Sequence, residues 1–290
     1  MEQVSANQRR RGVYLLPNLL TTAALFAGFY AVVASMKGDF DAAAIAIFVA
    51  MILDGLDGRV ARMTNTQSDF GAEYDSMADM VSFGIAPALV AYNWALEDLG
   101  KIGWLAAFIY TAGAALRLAR FNTQVGVADK RYFQGLASPA AAAIVAGMVW
   151  LGNNAGIIPN TPEFADLYSP LIPIIATFIT VAAGLLMVSN FKYHSFKEFD
   201  WRGKVPFVVM LIVVLIFVLV ATNPALVLFI VFFGYAISGP VITIRSVQRL
   251  KMADVVGDGD EDEEASEATV EQSEPAASDN AENQPPKSAS

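Results

Sequence analysis

The sequence predicts an all-α integral membrane protein, a polytopic bundle of about eight transmembrane helices followed by a disordered acidic C-terminal tail. Three observations carry this. Of the 290 residues, 55% are hydrophobic and 16% charged, with a mean hydropathy of +0.47, whereas a soluble domain of this length carries a larger share of charge. The apolar residues fall in long blocks rather than in the alternating patches of half-buried strands. The net charge of −9 belongs to the tail: twelve of the 28 acidic residues lie after Met252, against one of the 19 basic ones, leaving 18 basic and 16 acidic residues before it.

The chain opens with MEQVSANQRRRGVYLLPN. This has a basic cluster but no short apolar core ending in a small-residue cleavage site, so residues 1–17 are expected to form a cytoplasmic amphipathic lead-in rather than a secretory signal. Apolar runs long enough to span then fall at 18–36, 42–62, 77–96, 102–120, 137–152, 168–188, 205–221 and 223–242. Their short connections predict one compact membrane domain over 18–252. Residues 253–290, rich in Glu, Asp, Ser, Ala and Pro without apolar periodicity, cannot bury enough surface to offset their ordering entropy.

Lysine and arginine placement sets the expected orientation. Arg9–Arg11 precede the first span, Arg59 and Arg62 end the second, and Arg117, Arg120, Lys130 and Arg131 follow the fourth. Lys192, Lys197, Arg202 and Lys204 follow the sixth span, and Arg245, Arg249 and Lys251 the eighth; only Lys37 and Lys101 fall on the other side. Both termini are therefore expected on the cytoplasmic side of a cell (inner) membrane. Cysteine is absent and His194 is the single histidine, which excludes thiolate chemistry and any mechanism needing two imidazoles. His194, among Lys192, Tyr193 and Lys197, reads as an interfacial loop residue. Nucleic acid is not an expected partner.

The informative stretch is LDGLDGRVARMTNTQSDFGAEYDSMADMVSFG, residues 53–84. Asp54, Asp57, Gly58, Ala61 and Arg62 stand at i, i+3, i+4, i+7 and i+8, one face of a helix; Gly71, Asp75 and Asp79 follow at successive steps of four, again one face. The two helices run antiparallel through a short connection, so these faces can meet. At 1.5 Å per residue, Asp54 lies about 18 Å beyond Ala42, within the cytoplasmic leaflet of a core about 30 Å thick. Each aspartate at the bilayer centre costs about 3 kcal/mol, less near the interface, so four together approach ~10 kcal/mol before their repulsion is counted. Arg59 and Arg62 alone do not balance them, and an all-oxygen donor set favours Mg²⁺ or Mn²⁺. The small residues on this face permit close helix packing or the approach of a bulky polar substrate. Arg62 has the geometry to hold a phosphate through two hydrogen bonds.

The full pattern, D-x2-D-G-x2-A-R-x8-G-x3-D-x3-D from Asp54 to Asp79, resembles the signature of the CDP-alcohol phosphotransferase family at every fixed position. That resemblance implies a two-metal site in a cytoplasm-facing cavity of a homodimeric helical bundle. Asp54, Asp57, Asp75 and Asp79 would be metal ligands, with Asp79 also the general base. Gly58, Ala61, Arg62 and Gly71, with Asp57, would line the CDP pocket. Further segments, LLPNLLTTAALFAGF (15–29), DMVSFGIAPA (79–88), RLARFN (117–122) and FQGLASPAAA (133–142), resemble the branch of the family that accepts serine, with Ala137 standing where proline is expected. The implied reaction moves the phosphatidyl group of CDP-diacylglycerol to the serine hydroxyl, giving phosphatidylserine and CMP. With no cysteine and one histidine, direct in-line attack is favoured over a covalent phosphohistidine.

A serine carboxylate needs a cation, and Arg117, Arg120, Lys130 and Arg131 cluster at the end of the fourth span; Asn18, Ser82, Asn122 and Gln134 offer neutral hydrogen bonds. Cations at a cytoplasmic helix end also meet lipid phosphates, and glycerol 3-phosphate, an inositol phosphate or choline remain alternative acceptors. A cation transporter is the alternative of another class. It predicts polar residues at depth along several spans, whereas VPFVVMLIVVLIFVLVA at 205–221 is apolar throughout.

Overall fold

The computed structural model describes residues 2–123, 132–157, 171–194 and 207–245. The expectations for the tail 253–290, for Lys130 and Arg131, and for the basic residues at 197–204 and 249–251 lie outside the described residues.

Helix α1 (Glu2–Met36) runs unbroken through the basic lead-in and the first apolar run, with Pro17 inside it. It ends at Gly38, whose φ of +78° suits a residue without a Cβ. Asp39 then caps α2 (Phe40–Met63), its side chain accepting the Ala42 N–H at 3.1 Å. The two helices pack through small side chains, with Ala24, Ala27, Ala31 and Ala34 buried on α1 and Ala43, Ala44, Ala46 and Ala50 on α2. Without a hydrophobic force between helices in lipid, such close approach is what gives the pair its dispersion energy.

Ser68 caps α3 (Asp69–Asp79) by accepting the Gly71 N–H at 3.1 Å. The helical path continues from α3 through a wide π turn (Met80–Ile85), α4 (Ala86–Ala91), a second π turn (Tyr92–Leu96) and a 3₁₀ turn (Glu97–Leu99). The third helical path is therefore longer than the 77–96 run, because its polar first turns are invisible to a hydropathy window. The first π turn is wedged between neighbours. Ser82 donates to the Ala24 carbonyl of α1 at 3.1 Å, and a Cβ on Gly28 would lie 2.6 Å from Ser82 Cα. On the other side Tyr110 donates to the Phe83 carbonyl at 2.9 Å.

Tyr110 belongs to α5 (Lys101–Thr123). Helix α6 (Ser138–Asn154) is the alanine-rich centre of the bundle, with Ala140–Val149 buried along its whole length. Helix α7 (Leu171–Val188) crosses α5 at Gly113 and Gly184, where a Cβ on Gly184 would stand 2.8 Å from Tyr110 Cα. Two short strands, β1 (Tyr132–Gln134) and β2 (Lys192–His194), pair antiparallel with Phe133 opposite Tyr193. His194 thus sits in a strand rather than a loop. Helices α8 (Phe207–Thr222) and α9 (Pro224–Arg245) follow.

A helix stands at each of the eight expected positions. Among the described residues, four stretches, Leu16–Met36, Lys101–Thr123, Leu171–Val188 and Pro224–Arg245, are long and apolar enough to cross a membrane. Large apolar side chains such as Phe26, Phe29, Phe108, Phe178 and Leu185 point outward while alanines fill the interior. That arrangement suits a lipid solvent, and the protein is a membrane-embedded, essentially all-helical bundle.

Candidate active site

The aspartates converge. Asp54 and Asp57 project from the last turns of α2, Asp75 from α3, and each offers a carboxylate oxygen within 4.8 Å of the other two. Asp79, one turn further along α3, lies within hydrogen-bonding reach of Asp54. The short link between α2 and α3 makes this possible: Asn65 takes a left-handed conformation (φ 50°) and Ser68 restarts the chain as a cap.

The cluster has the marks of a cation site. Asp75 Oδ1 is buried and has no hydrogen-bond partner among the described residues, a costly state for a carboxylate oxygen unless something positive meets it. Asp57 is 5% exposed, and the Thr21 hydroxyl of α1 donates to its Oδ2 at 2.7 Å. The donors are all oxygen, the set that suits a hard divalent cation.

The small residues of the motif separate into two roles. Among the described residues, no atom outside the adjoining turns of α2 lies within 4 Å of where a Gly58 Cβ would stand, so the α2 backbone there is open to a ligand. Gly71 is tight instead: a Cβ would meet Ser68 Oγ at 3.2 Å and Asn18 Oδ1 at 3.4 Å, so this glycine lets α3 close onto α1. Ala61 is half-buried and Arg62 exposed, with Arg62 Nε donating to the Gly58 carbonyl at 2.9 Å.

The basic residues of α5 also part company. Arg117 supplies the attractive charge acting on Asp79. Its Nη1 donates to Ser138 of α6 at 3.2 Å, while its Nε is buried without a hydrogen-bond partner among the described residues. Arg120 is instead engaged at the exposed rim, donating to Asn190 at 3.2 Å. Asn122 donates to Ser76, the α3 residue that follows Asp75, at 3.1 Å. Ser82, expected as a free polar group, is 1% exposed and committed to the Ala24 carbonyl. Gln134 contributes its backbone to the strand pair with Lys192.

Sequence reasoning passed over Thr21, Ser76 and Ser138. Each lies within or beside a stretch that carries the family resemblance, but a hydroxyl has no charge to flag it. Only the fold reveals which carboxylate or guanidinium it meets.

Fold and site together define a membrane-embedded helical protein with an acidic cluster, able to hold a metal ion, between its second and third helices. Residues 14–182 match the CDP-alcohol phosphatidyltransferase family, and the chain belongs to that family, which uses divalent metals. It is similar to the CDP-diacylglycerol–serine O-phosphatidyltransferase of Helicobacter pylori, 39% identical over 206 residues, 71% of this chain and 83% of that one. The enzymes of the same name from Bacillus subtilis (32% over 183 residues, 63% of this chain and 92% of that one) and Mycobacterium tuberculosis (42% over 150 residues, 49% and 52%) are also similar.

Proposed function

We propose that this protein transfers the phosphatidyl group of CDP-diacylglycerol to the hydroxyl of L-serine, releasing CMP. The observation that carries the reading is the gathering of Asp54, Asp57 and Asp75 oxygens within 4.8 Å, with Asp79 against Asp54. Family membership and the names of its relatives support the chemistry and the acceptor.

Asp54, Asp57, Asp75 and Asp79 would hold two divalent ions, Mg²⁺ or Mn²⁺, which when bound neutralise the pyrophosphate and the departing CMP. The open backbone at Gly58, together with Asp57, Ala61 and Arg62, forms the CDP pocket, and Gly71 contributes to it by letting α3 close onto α1 as its wall. Arg62 turns from the Gly58 carbonyl to a phosphate when substrate enters. Arg117, with a buried donor unused and Asp79 nearby, holds the serine carboxylate and brings its hydroxyl to Asp79. Arg120 and Asn122 border that pocket. Asp79 takes the hydroxyl proton as the serine oxygen bonds to phosphorus and the bond from phosphorus to CMP breaks. In this reading all eight helical paths span, both termini and the site face the cytoplasm of a cell (inner) membrane, and the chain works as a homodimer. Residues 1–17 lie along the cytoplasmic face, 18–252 form the catalytic domain and 253–290 remain a disordered acidic tail.

The test is CMP release by purified protein in detergent with CDP-diacylglycerol and each acceptor in turn. Serine should support release, a chelator should abolish it, and Asp79→Asn should stay folded yet lose about 10²- to 10⁴-fold in kcat. Release with glycerol 3-phosphate and none with serine would overturn the acceptor, and release indifferent to chelator would overturn the metal.

A further inference from the structure

The buried hydrogen bond between α1 and α2 carries an inference beyond the aspartate signature. Thr21 is 4% exposed, and its hydroxyl lies 2.7 Å from Asp57 Oδ2 and 3.1 Å from the Pro17 carbonyl of its own helix. A hydroxyl carries one proton. The shorter contact, to a group able to bear charge, is the stronger acceptor, so the proton points at Asp57. Thr is β-branched, and the packing of its methyl in a helix leaves few rotamers. The oxygen is therefore held in place before any ligand arrives.

We infer that Thr21 is a positioning residue for the cation site: it fixes the Asp57 carboxylate by one oxygen, so that the other is presented to the shared space of Asp54 and Asp75. The inference rests on the reading of Asp57 as a metal ligand. Its physical basis is that a ligand carboxylate free to rotate loses rotamer entropy when a cation binds, whereas one already held does not. Outer hydrogen bonds of this kind commonly govern metal affinity by 10- to 100-fold, by order of magnitude. The neighbouring Thr22 offers a matched comparison. It has the same side chain on the same helix, but its hydroxyl donates to the Asn18 carbonyl at 2.7 Å and lies 2.9 Å from the Tyr74 hydroxyl, with no carboxylate partner among the described residues.

The experiment is titration of metal-stripped protein in detergent with Mn²⁺ alone, bound ion being read by electron paramagnetic resonance without CDP-lipid or serine. Thr21→Val keeps the shape and removes the donor; it should weaken Mn²⁺ binding about 10- to 100-fold. Thr21→Ser, which restores the donor, should bind within about three-fold of the wild type, and Thr22→Val within about two-fold. Thermal unfolding of each variant separates a loosened helix pair from a misplaced ligand. Unchanged Mn²⁺ affinity in Thr21→Val, equal losses in Thr21→Val and Thr22→Val, or failure of Thr21→Ser to recover binding would each overturn the inference. Asp57→Asn tests the underlying reading separately: if it binds Mn²⁺ as tightly as wild type, Asp57 is not a ligand, whatever Thr21→Val does.

Discussion

Replacing Arg117 by glutamine should strike the acceptor and spare the lipid substrate. The guanidinium has five N–H donors; one Nη goes to Ser138 at 3.2 Å and the Nε is buried without a partner. A serine carboxylate accepting from Nε and the second Nη would gain two charge-assisted hydrogen bonds, each worth about 1.5–3 kcal/mol. Allowing for desolvation of the carboxylate, a net loss of about 3–4 kcal/mol corresponds to a fall of two to three orders of magnitude in kcat/KM for serine. Arg120→Gln should cost less than about 1 kcal/mol, because that side chain is held at an exposed rim by Asn190. The assay is steady-state CMP release with serine and CDP-diacylglycerol varied in turn, repeated with serinol, which keeps the hydroxyl and lacks the carboxylate. Arg117→Gln should raise the KM for serine far more than that for CDP-diacylglycerol and erase the preference for serine over serinol. Parallel losses for both substrates with that preference intact, or a larger serine defect in Arg120→Gln, would refute the assignment.

Tyr110→Phe removes the donor to the buried Phe83 carbonyl and should cost about 1–3 kcal/mol of stability; an unshifted thermal unfolding midpoint in detergent would show that the bond contributes nothing. His194→Gln should leave CMP release near wild type and produce no exchange of labelled CMP into CDP-diacylglycerol without serine; such exchange in either protein would point to a covalent intermediate. The cysteine-free chain suits topology mapping: Lys37→Cys should react with an impermeant maleimide from outside intact cells and Ser273→Cys only after permeabilisation, while the reverse would invert the orientation.

The sequence made the site legible because charge in an apolar helix is conspicuous. Asp54 and Asp57 were placed on one helical face and Asp75 and Asp79 on another by spacing alone, and the fold brings those faces together. The helix positions were legible for the same reason, since long apolar runs have few alternatives in lipid. What stayed hidden depends on partners distant in sequence. The difference between Arg117 and Arg120 lies in whether Ser138 or Asn190 stands opposite, and three residues along one helix give no hint of it. The π turns after Asp79 were equally invisible, because MVSFGI carries no residue that requires a wide turn; its neighbours at Gly28 and Tyr110 accompany it. The pairing of β1 with β2 joins segments 60 residues apart with only three residues each, too short for a period to register.

These hidden features all bear on the same carboxylates. The π turn begins where α3 ends at Asp79, so the contacts that seat it, Ser82 on Ala24 and Tyr110 on Phe83, also fix the height of Asp79 beside Asp54. Thr21 fixes Asp57 from the side of α1. Arg117 is the one cation whose charge acts on Asp79 among the described residues, against the carboxylates of Asp54 and Asp75. The protein thus holds acidic groups together by packing, and a divalent ion bound among them would relieve the repulsion that packing sustains. Any such ion that binds only the folded chain would stabilise it by an amount that grows with the logarithm of its free concentration above Kd. The rigid frame that orders these carboxylates would therefore also make the helix pair depend on any ion bound between them.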